Sequence, residues 1–393
     1  MKNPIPTIVF TLFFSLIGYT QIINFGNETD SFMTGDGIVD SQGNHVFLTS
    51  TGERVVISFN NSDYESIWAK QLDFPNSGEV GKIIELASGD YAVYISQGEG
   101  STFGHLLKKN EDGDILWHEN VSFAISNMVE IDAGRIAITG QRLDGYLVVI
   151  DTNGDLIWSK SISLESPNRI TFPYLIVTND GNLLLTARLF RSSDDFKYQY
   201  LAKYDFEGNL IWEKAYESPS SHVIYKYIQG DDDNFYGTGH LSRYGETDGG
   251  DLLVVKYNSS GEFIKSRAYS HIYRDNGQDI IQTIDNNFVV IGNSKPQEVC
   301  GGNLVVMKID SELDTLYSKF YGQSTGQGSF YWRLHKKNDM IYTYGGGSLW
   351  SSFSGSDVHL IKTDSEFELL CNPYHQEWTI TDQSPYTPYS FDS

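Results

Sequence analysis

The sequence predicts an all-β protein: a seven-bladed β-propeller of four-stranded antiparallel blades, preceded by a signal peptide. Three observations carry this reading. A short motif recurs seven times. Its spacing matches one propeller blade. Between copies the chain reads as short strands and tight turns, with no helical periodicity.

The best copies of the motif read Asp/Asn-x-x-Gly-x-x-x-Trp: Asn110–Trp117, Asp151–Trp158 and Asp205–Trp212. Weaker copies keep the frame at Asn61–Trp68, Asn258–Lys265, Asp310–Tyr317 and Asp364–Cys371. Successive copies start 49, 41, 54, 53, 52 and 54 residues apart. A period of this size means a repeat architecture whose units share their apolar faces. The sixth unit shows the internal order. Asp279–Ile284, Phe288–Ile291, Asn303–Ile309 and Asp314–Tyr321 are β-branched and aromatic runs bounded by Asn, Asp and Gly. Third strands such as Leu252–Val255 are apolar throughout, which predicts burial on both faces. The other units span Thr34–Leu72, Ile83–Val121, Ile125–Ile162, Tyr174–Tyr216, Val223–Tyr269 and Tyr331–Cys371. Four strands per unit, arranged around an axis, protect the sheet edges; a β-sandwich needs no such seven-fold similarity. Ile22–Gly26 resembles the end of a fourth strand and is expected to pair beside Val358–Lys362, closing the ring.

Residues 1–20 read as a leader. Lys2 gives a positive start, Ile5–Ile17 is apolar but too short to span a bilayer, and Gly18-Tyr19-Thr20 suits cleavage before Gln21. The propeller is assigned to 21–371 and a C-terminal tail or linker to 372–393. No later apolar run could cross a membrane as a helix, so the expected location is secreted, periplasmic or cell-surface. The net charge of −23 argues against nucleic acid or an anionic membrane as partner. The two cysteines, Cys300 and Cys371, have no metal-ligand spacing, and their pairing stays open.

The recurring residues have structural readings. The motif Gly sits in the turn between third and fourth strands, where positive φ is required. The Asp or Asn three residues earlier can bond the turn backbone. The Trp offers a ring to pack between blades. Lys recurs before the motif, at 108, 203, 256, 308 and 362, and after the Trp, at 70, 160, 214 and 319. A periodic lysine implies ion-paired blade edges rather than catalysis. Asp151–Asp155 alternates oxygen ligands but lacks a later bidentate Glu, so turn chemistry explains it and no metal is assigned.

Units such as Leu201–Tyr216 resemble the blades of secreted β-propeller proteins common in Bacteroidota, many exported by type IX secretion. The Gly-to-Trp spacing is similar to that of quinoprotein-like propellers, with a turn one residue shorter. The resemblance implies the fold over residues 34–371 and is weakly specific for function. No adjacent-cysteine pair is present, so no quinone cofactor is assigned and none of any other kind. Sialidase-type Asp boxes place Gly three residues before Trp and do not match. Type IX cargo usually ends in a sorting domain, which this sequence does not show.

Long, variable connections join strands two to three and blade to blade, and lie on one face. Loops on a rigid scaffold carry function more often than the scaffold does. Candidate ligand contacts there are Trp350, Trp332, Tyr244, Phe103, Arg188, Arg243, Arg274, His222, His240 and His271. Aromatic rings with Arg and His suit a glycan or an acidic peptide, and carbohydrate binding is the expectation. No catalytic residue is assigned. The reading is an exported non-enzymatic binding or scaffold protein, presenting its loop face to a polysaccharide or protein. The alternative is a glycan-active hydrolase or lyase at the channel mouth. An enzyme requires acidic or His side chains from several blades to converge in one pocket; a binding module shows an open aromatic platform.

Overall fold

The computed structural model describes residues 9–13, 21–26, 33–51, 54–72, 79–97, 103–142, 144–162, 169–191, 196–217, 221–242, 250–270, 274–295, 303–321, 332–347, 357–367, 379–382 and 387–389. Within them every regular element is a strand. Two strands, β1 (Val9–Phe13) and β2 (Gln21–Gly26), precede the first blade. Blade 1 is β3 (Met33–Val39), β4 (His45–Thr51), β5 (Arg54–Asn60) and β6 (Ser66–Leu72). Blade 2 is β7 (Glu79–Glu85), β8 (Tyr91–Ser96), β9 (Gly104–Lys109) and β10 (Ile115–Val121). Blade 3 is β11 (Ala124–Asp132), β12 (Arg135–Gln141), β13 (Gly145–Asp151) and β14 (Leu156–Ile162). Blade 4 is β15 (Arg169–Val177), β16 (Leu183–Arg191), β17 (Phe196–Tyr204) and β18 (Leu210–Glu217). Blade 5 is β19 (Ser221–Gln229), β20 (Phe235–Ser242), β21 (Asp251–Tyr257) and β22 (Phe263–Ser270). Blade 6 is β23 (Arg274–Gln282), β24 (Phe288–Lys295), β25 (Asn303–Ile309) and β26 (Thr315–Tyr321). Blade 7 takes β27 (Trp332–Lys337), β28 (Met340–Gly347) and β29 (Asp357–Thr363), and its fourth strand is β2.

The first strands contact one another in a closed cycle, β3 to β7 and on through β27 back to β3. They line the axis, and the protein is a seven-bladed propeller. Closure follows the sequence expectation, with Gln21 opposite Lys362 and Phe25 opposite Val358. β1 pairs outside β2. Residues 368–371, where the seventh motif copy ends, lie outside the described residues. Beyond them, β30 (Thr379–Asp382) pairs with β22 and β31 (Thr387–Tyr389) with β18. Arg267 anchors this stretch through Asp382, at 2.7 Å. No helix among the described residues is long and apolar enough to cross a membrane.

The core is divided rather than central. Seven clusters of buried side chains each straddle two neighbouring blades. One joins Leu147 and Val149 of blade 3 to Leu183, Leu185 and Tyr200 of blade 4. Another joins Val39 and Phe47 of blade 1 to Tyr342, Tyr344 and Leu360 of blade 7. The third strands are buried as their apolar runs predict, and β21 is buried from end to end.

The motif explains how blades lock. The Asp or Asn accepts turn amides in all seven copies, as where Asp151 Oδ1 takes the N–H of Asn153 and Asp155 at 2.8 and 2.9 Å. The motif Trp reaches the next blade. Trp158 donates to the Phe206 carbonyl at 2.9 Å and lies over Gly208, whose φ of 85° and missing Cβ make room for the ring. Trp68 and Trp117 donate to Glu111 O and Thr152 O in the same way. Several of the periodic lysines are ion-paired: Lys108 with Asp90 at 2.9 Å, Lys203 with Asp180 at 2.6 Å, and Lys308 with both Asp285 and Glu366 at 2.9 Å.

Candidate functional site

In blades 2, 4 and 6 the first strand begins four or five residues before the start that the sequence reading gave, at Glu79, Arg169 and Arg274. In blades 1 to 6 a register shift interrupts its pairing with the second strand. The residue after the shift is Asp36, Lys82, Asn127, Tyr174, Lys226 or Asp279. Blade 7 supplies Arg333. Its equivalence follows from the next residue: the Leu334 N–H donates to Asp279 on the preceding blade, as the Ile83 N–H donates to Asp36. A bulge re-aims the strand at the point where the seven blades meet. The result is a collar of seven polar side chains, one per blade, all lining a cavity of about 210 Å³ in the channel. Two residues further along each strand, Ile38, Ile84, Val129, Ile176, Ile228 and Ile281 share the collar's side of the strand by the period of two, with His335 as the seventh member.

Charge alternates over five neighbouring blades: Lys226, Asp279, Arg333, Asp36, Lys82. Asn127 and Tyr174 fill the remaining arc. Three cations against two carboxylates leave the neck positive in a strongly acidic chain. The carboxylates are largely committed. Asp279 accepts the N–H of Ile280 at 2.8 Å and of Leu334 at 3.0 Å, and lies 3.5 Å from Lys226 Nζ. Asp36 accepts the N–H of Gly37 at 3.1 Å and of Ile83 at 3.3 Å. Lys226 sits 5.5 Å from the centre of the Tyr174 ring. Burial alone lowers its affinity for a proton, but Asp279 and Tyr174 reverse the balance and hold it above the ordinary lysine value. Burial raises the Tyr174 phenol.

Lys82 differs. Burial, then the Arg333 charge, pull it down to about 8, against the attraction of Asp36. Among the described residues no side-chain hydrogen bond or ion pair holds it. On the next blade Asn127 Oδ1 is buried without a hydrogen-bond partner. Burial and Lys226 also lower His335. Three or more His, Cys, Asp or Glu placed to hold a metal do not occur among the described residues.

The sequence-derived candidates fall elsewhere. Phe103 is 47% exposed, with the Arg142 guanidinium of blade 3 at 5.5 Å from its ring centre. His222 is buried and Arg188 half-buried within their blades. His240 adjoins the cavity lining, its Nδ1 lying 2.9 Å from the hydroxyl of Tyr225, which lines the cavity. Trp332 and Arg274 open β27 and β23, at strand ends towards the long connections; their side chains, and Trp350, Tyr244, Arg243 and His271 altogether, lie outside the described residues. The collar itself escaped sequence reasoning. Its signal is positional: Asp-Gly-Ile-Val from 36, Lys-Ile-Ile-Glu from 82, Asn-Met-Val-Glu from 127, Tyr-Leu-Ile-Val from 174, Lys-Tyr-Ile-Gln from 226, Asp-Ile-Ile-Gln from 279 and Arg-Leu-His-Lys from 333.

Fold and channel together define a propeller with a polar neck. The structure is similar to virginiamycin B lyase from Staphylococcus aureus, with TM-score 0.53 and 12% identity, over 87% of this chain and 99% of that one. It is also similar to the polysaccharide lyase Uly1, with TM-score 0.52 and 9% identity, over 84% of this chain and 90% of that one. The β-propeller domain of the Trilobed protease from Pyrococcus furiosus follows at TM-score 0.49 and 9% identity, over 86% and 96%. At these identities the likeness concerns the fold. No family model and no curated protein matches the sequence.

Proposed function

We propose that this protein is an exported, non-enzymatic binding or scaffold protein that presents the loop face of its propeller to a polysaccharide or protein partner. The observation that supports this best is the collar. Seven blades each contribute a polar side chain to one neck, and the neck is positive inside a chain of net charge −23. Rigid strands hold these groups, while the longer connections above them are free to vary in length and composition. Export rests on the leader-like residues 1–20. A Bacteroidota cell-surface or type IX setting rests on the blade resemblance.

A second reading is favoured by one specific observation. Lys82 and His335, both shifted towards their neutral forms, line the same cavity as the Tyr174 phenol, which burial keeps protonated, so nitrogen bases and a proton donor face one space. That arrangement suits a glycan-active hydrolase or lyase, and two lyases share the fold. Against it, both collar carboxylates accept backbone amides, which is a structural task.

A glycan array and partner capture on residues 21–393, with Trp350→Ala as the loop-face variant, test the proposal. Binding that the variant weakens supports it. Binding indifferent to loop-face substitutions removes it, and turnover of a bound glycan replaces it with the second reading.

A further inference from the structure

We propose that the channel neck is a binding site for one small carboxylate, the acid group of a sugar acid, seated against Lys82 and Asn127. The inference rests on the loop-face reading above only for the sugar part; the carboxylate follows from the collar.

Blade packing does not dictate a cation at position 82. Equivalent positions carry Asn127 in blade 3 and Tyr174 in blade 4, and both blades form with the same pairing and bulge. Lys82 therefore answers to something in the cavity. A deep ammonium without a protein partner costs stability, and such a cost persists where a ligand relieves it. Its neighbours relieve it only in part. Asp36 attracts it but lends its oxygens to the Gly37 and Ile83 amides, and Asp279 lies 3.5 Å from Lys226 on the adjoining blade. The single uncompensated positive charge of the collar matches one monoanion.

Shape narrows the choice. The cavity of about 210 Å³ exceeds what one inorganic ion fills. Beside Lys82 stands Asn127, an amide whose buried oxygen has no donor. A carboxylate takes hydrogen bonds from the ammonium and from the Asn amide nitrogen; a hydroxyl on the same ligand can donate to the orphaned oxygen. A molecule carrying both groups is a hydroxy acid, and a sugar acid is one of the size the neck admits.

Titration calorimetry at constant ionic strength tests this on residues 21–393, with glucuronate, acetate and glucose as separate probes. Glucuronate is expected to bind, acetate to compete with it weakly, and glucose not to bind. Lys82→Met should weaken glucuronate on the order of tenfold or more, the loss of one charge-assisted hydrogen bond. Asn127→Leu should weaken glucuronate by a larger factor than acetate, because it removes the acceptor for the hydroxyl as well as the amide donor to the carboxylate. Lys70→Met, at a surface pair with Asp114, serves as control. Glucose binding as well as glucuronate, glucuronate failing to bind, or Lys82→Met binding it like the parent protein overturns the inference. Polysaccharide binding that ignores Lys82 keeps the proposed function and removes this site. Glucuronate binding without any polysaccharide or protein binding does the reverse.

Discussion

Individual residues carry two pH dependences of the same sign from different chemistry. Lys82 is held at about 8 in the folded chain, below the ordinary lysine value of 10.5, by burial and by Arg333. Asp36, Lys226 and Asp279 also act on it. Between those two pH values the unfolded chain binds the extra proton, so stability rises with pH across that window. The parent protein should gain about 3 kcal/mol on Lys82→Met between pH 8 and 10.5, read by urea unfolding of both. His45 lies at the seam of blades 1 and 7, with its ring 4.8 Å from that of Tyr64. Burial, then Lys362, lower it to about 4 from 6.5; Lys337 and His335 act with them and Asp40 against. Here too the unfolded chain binds the proton first, now in acid. Stability falls as pH drops from 6.5 towards 4, by up to about 3 kcal/mol. Unfolding of His45→Phe should lose that part of the slope and keep the rest.

Strands and turns show where the sequence could be read. The motif turn was legible because one residue type serves one geometric need at each place. Gly208 shows it twice, through positive φ and through the Trp158 ring that a Cβ would meet at 3.1 Å. Degenerate copies pass the same φ with Leu313 and Phe367, and there no indole crosses from the preceding blade. Gly208→Ala should cost about 1–2 kcal/mol in thermal or urea unfolding, and Trp158→Ala about 3 kcal/mol. The two together should cost less than their sum, since both disturb one contact. The collar was not legible because packing leaves its residue type open. Acid, base, amide and phenol all occur there. Only the aliphatic positions that follow repeat, and in blades 2, 4 and 6 these drew the strand start past the bulge. The heads of β15 and β23 were read as connection for the same reason. On the face towards the preceding blade, Glu85, Glu130, Gln229 and Gln282 fasten neighbours by accepting turn amides, as Glu130 does from Ala87 at 2.6 Å. That role also hid behind mixed residue types.

At the scale of the molecule, stability is spread over seven inter-blade clusters, and none is central. The ring was foreseen from its period, and its closure from the likeness of Ile22–Gly26 to the end of a fourth strand. For a ligand the sequence offered a face and candidate residues but no constellation, since most of those residues fall on connections that follow no repeat. Closure makes a clear expectation. Removing residues 1–20 takes away β1 and leaves blade 7 its four strands. Removing residues 1–26 also takes β2 and bares the edge of β29. The shorter deletion should unfold close to the full chain. The longer one should lose several degrees in Tm and be cut first by protease within 332–367.

The chain thus has its covalent gap at one third-to-fourth strand corner, while the six equivalent corners are ordinary tight turns. Geometrically these seven places are interchangeable. A gene rewired so that Phe367 runs through a short bridge into Gln21, and begins instead after Gly154, should yield the same wheel with its break moved to blade 3. Which blade is sewn last is then a matter of bookkeeping in the gene, not of architecture.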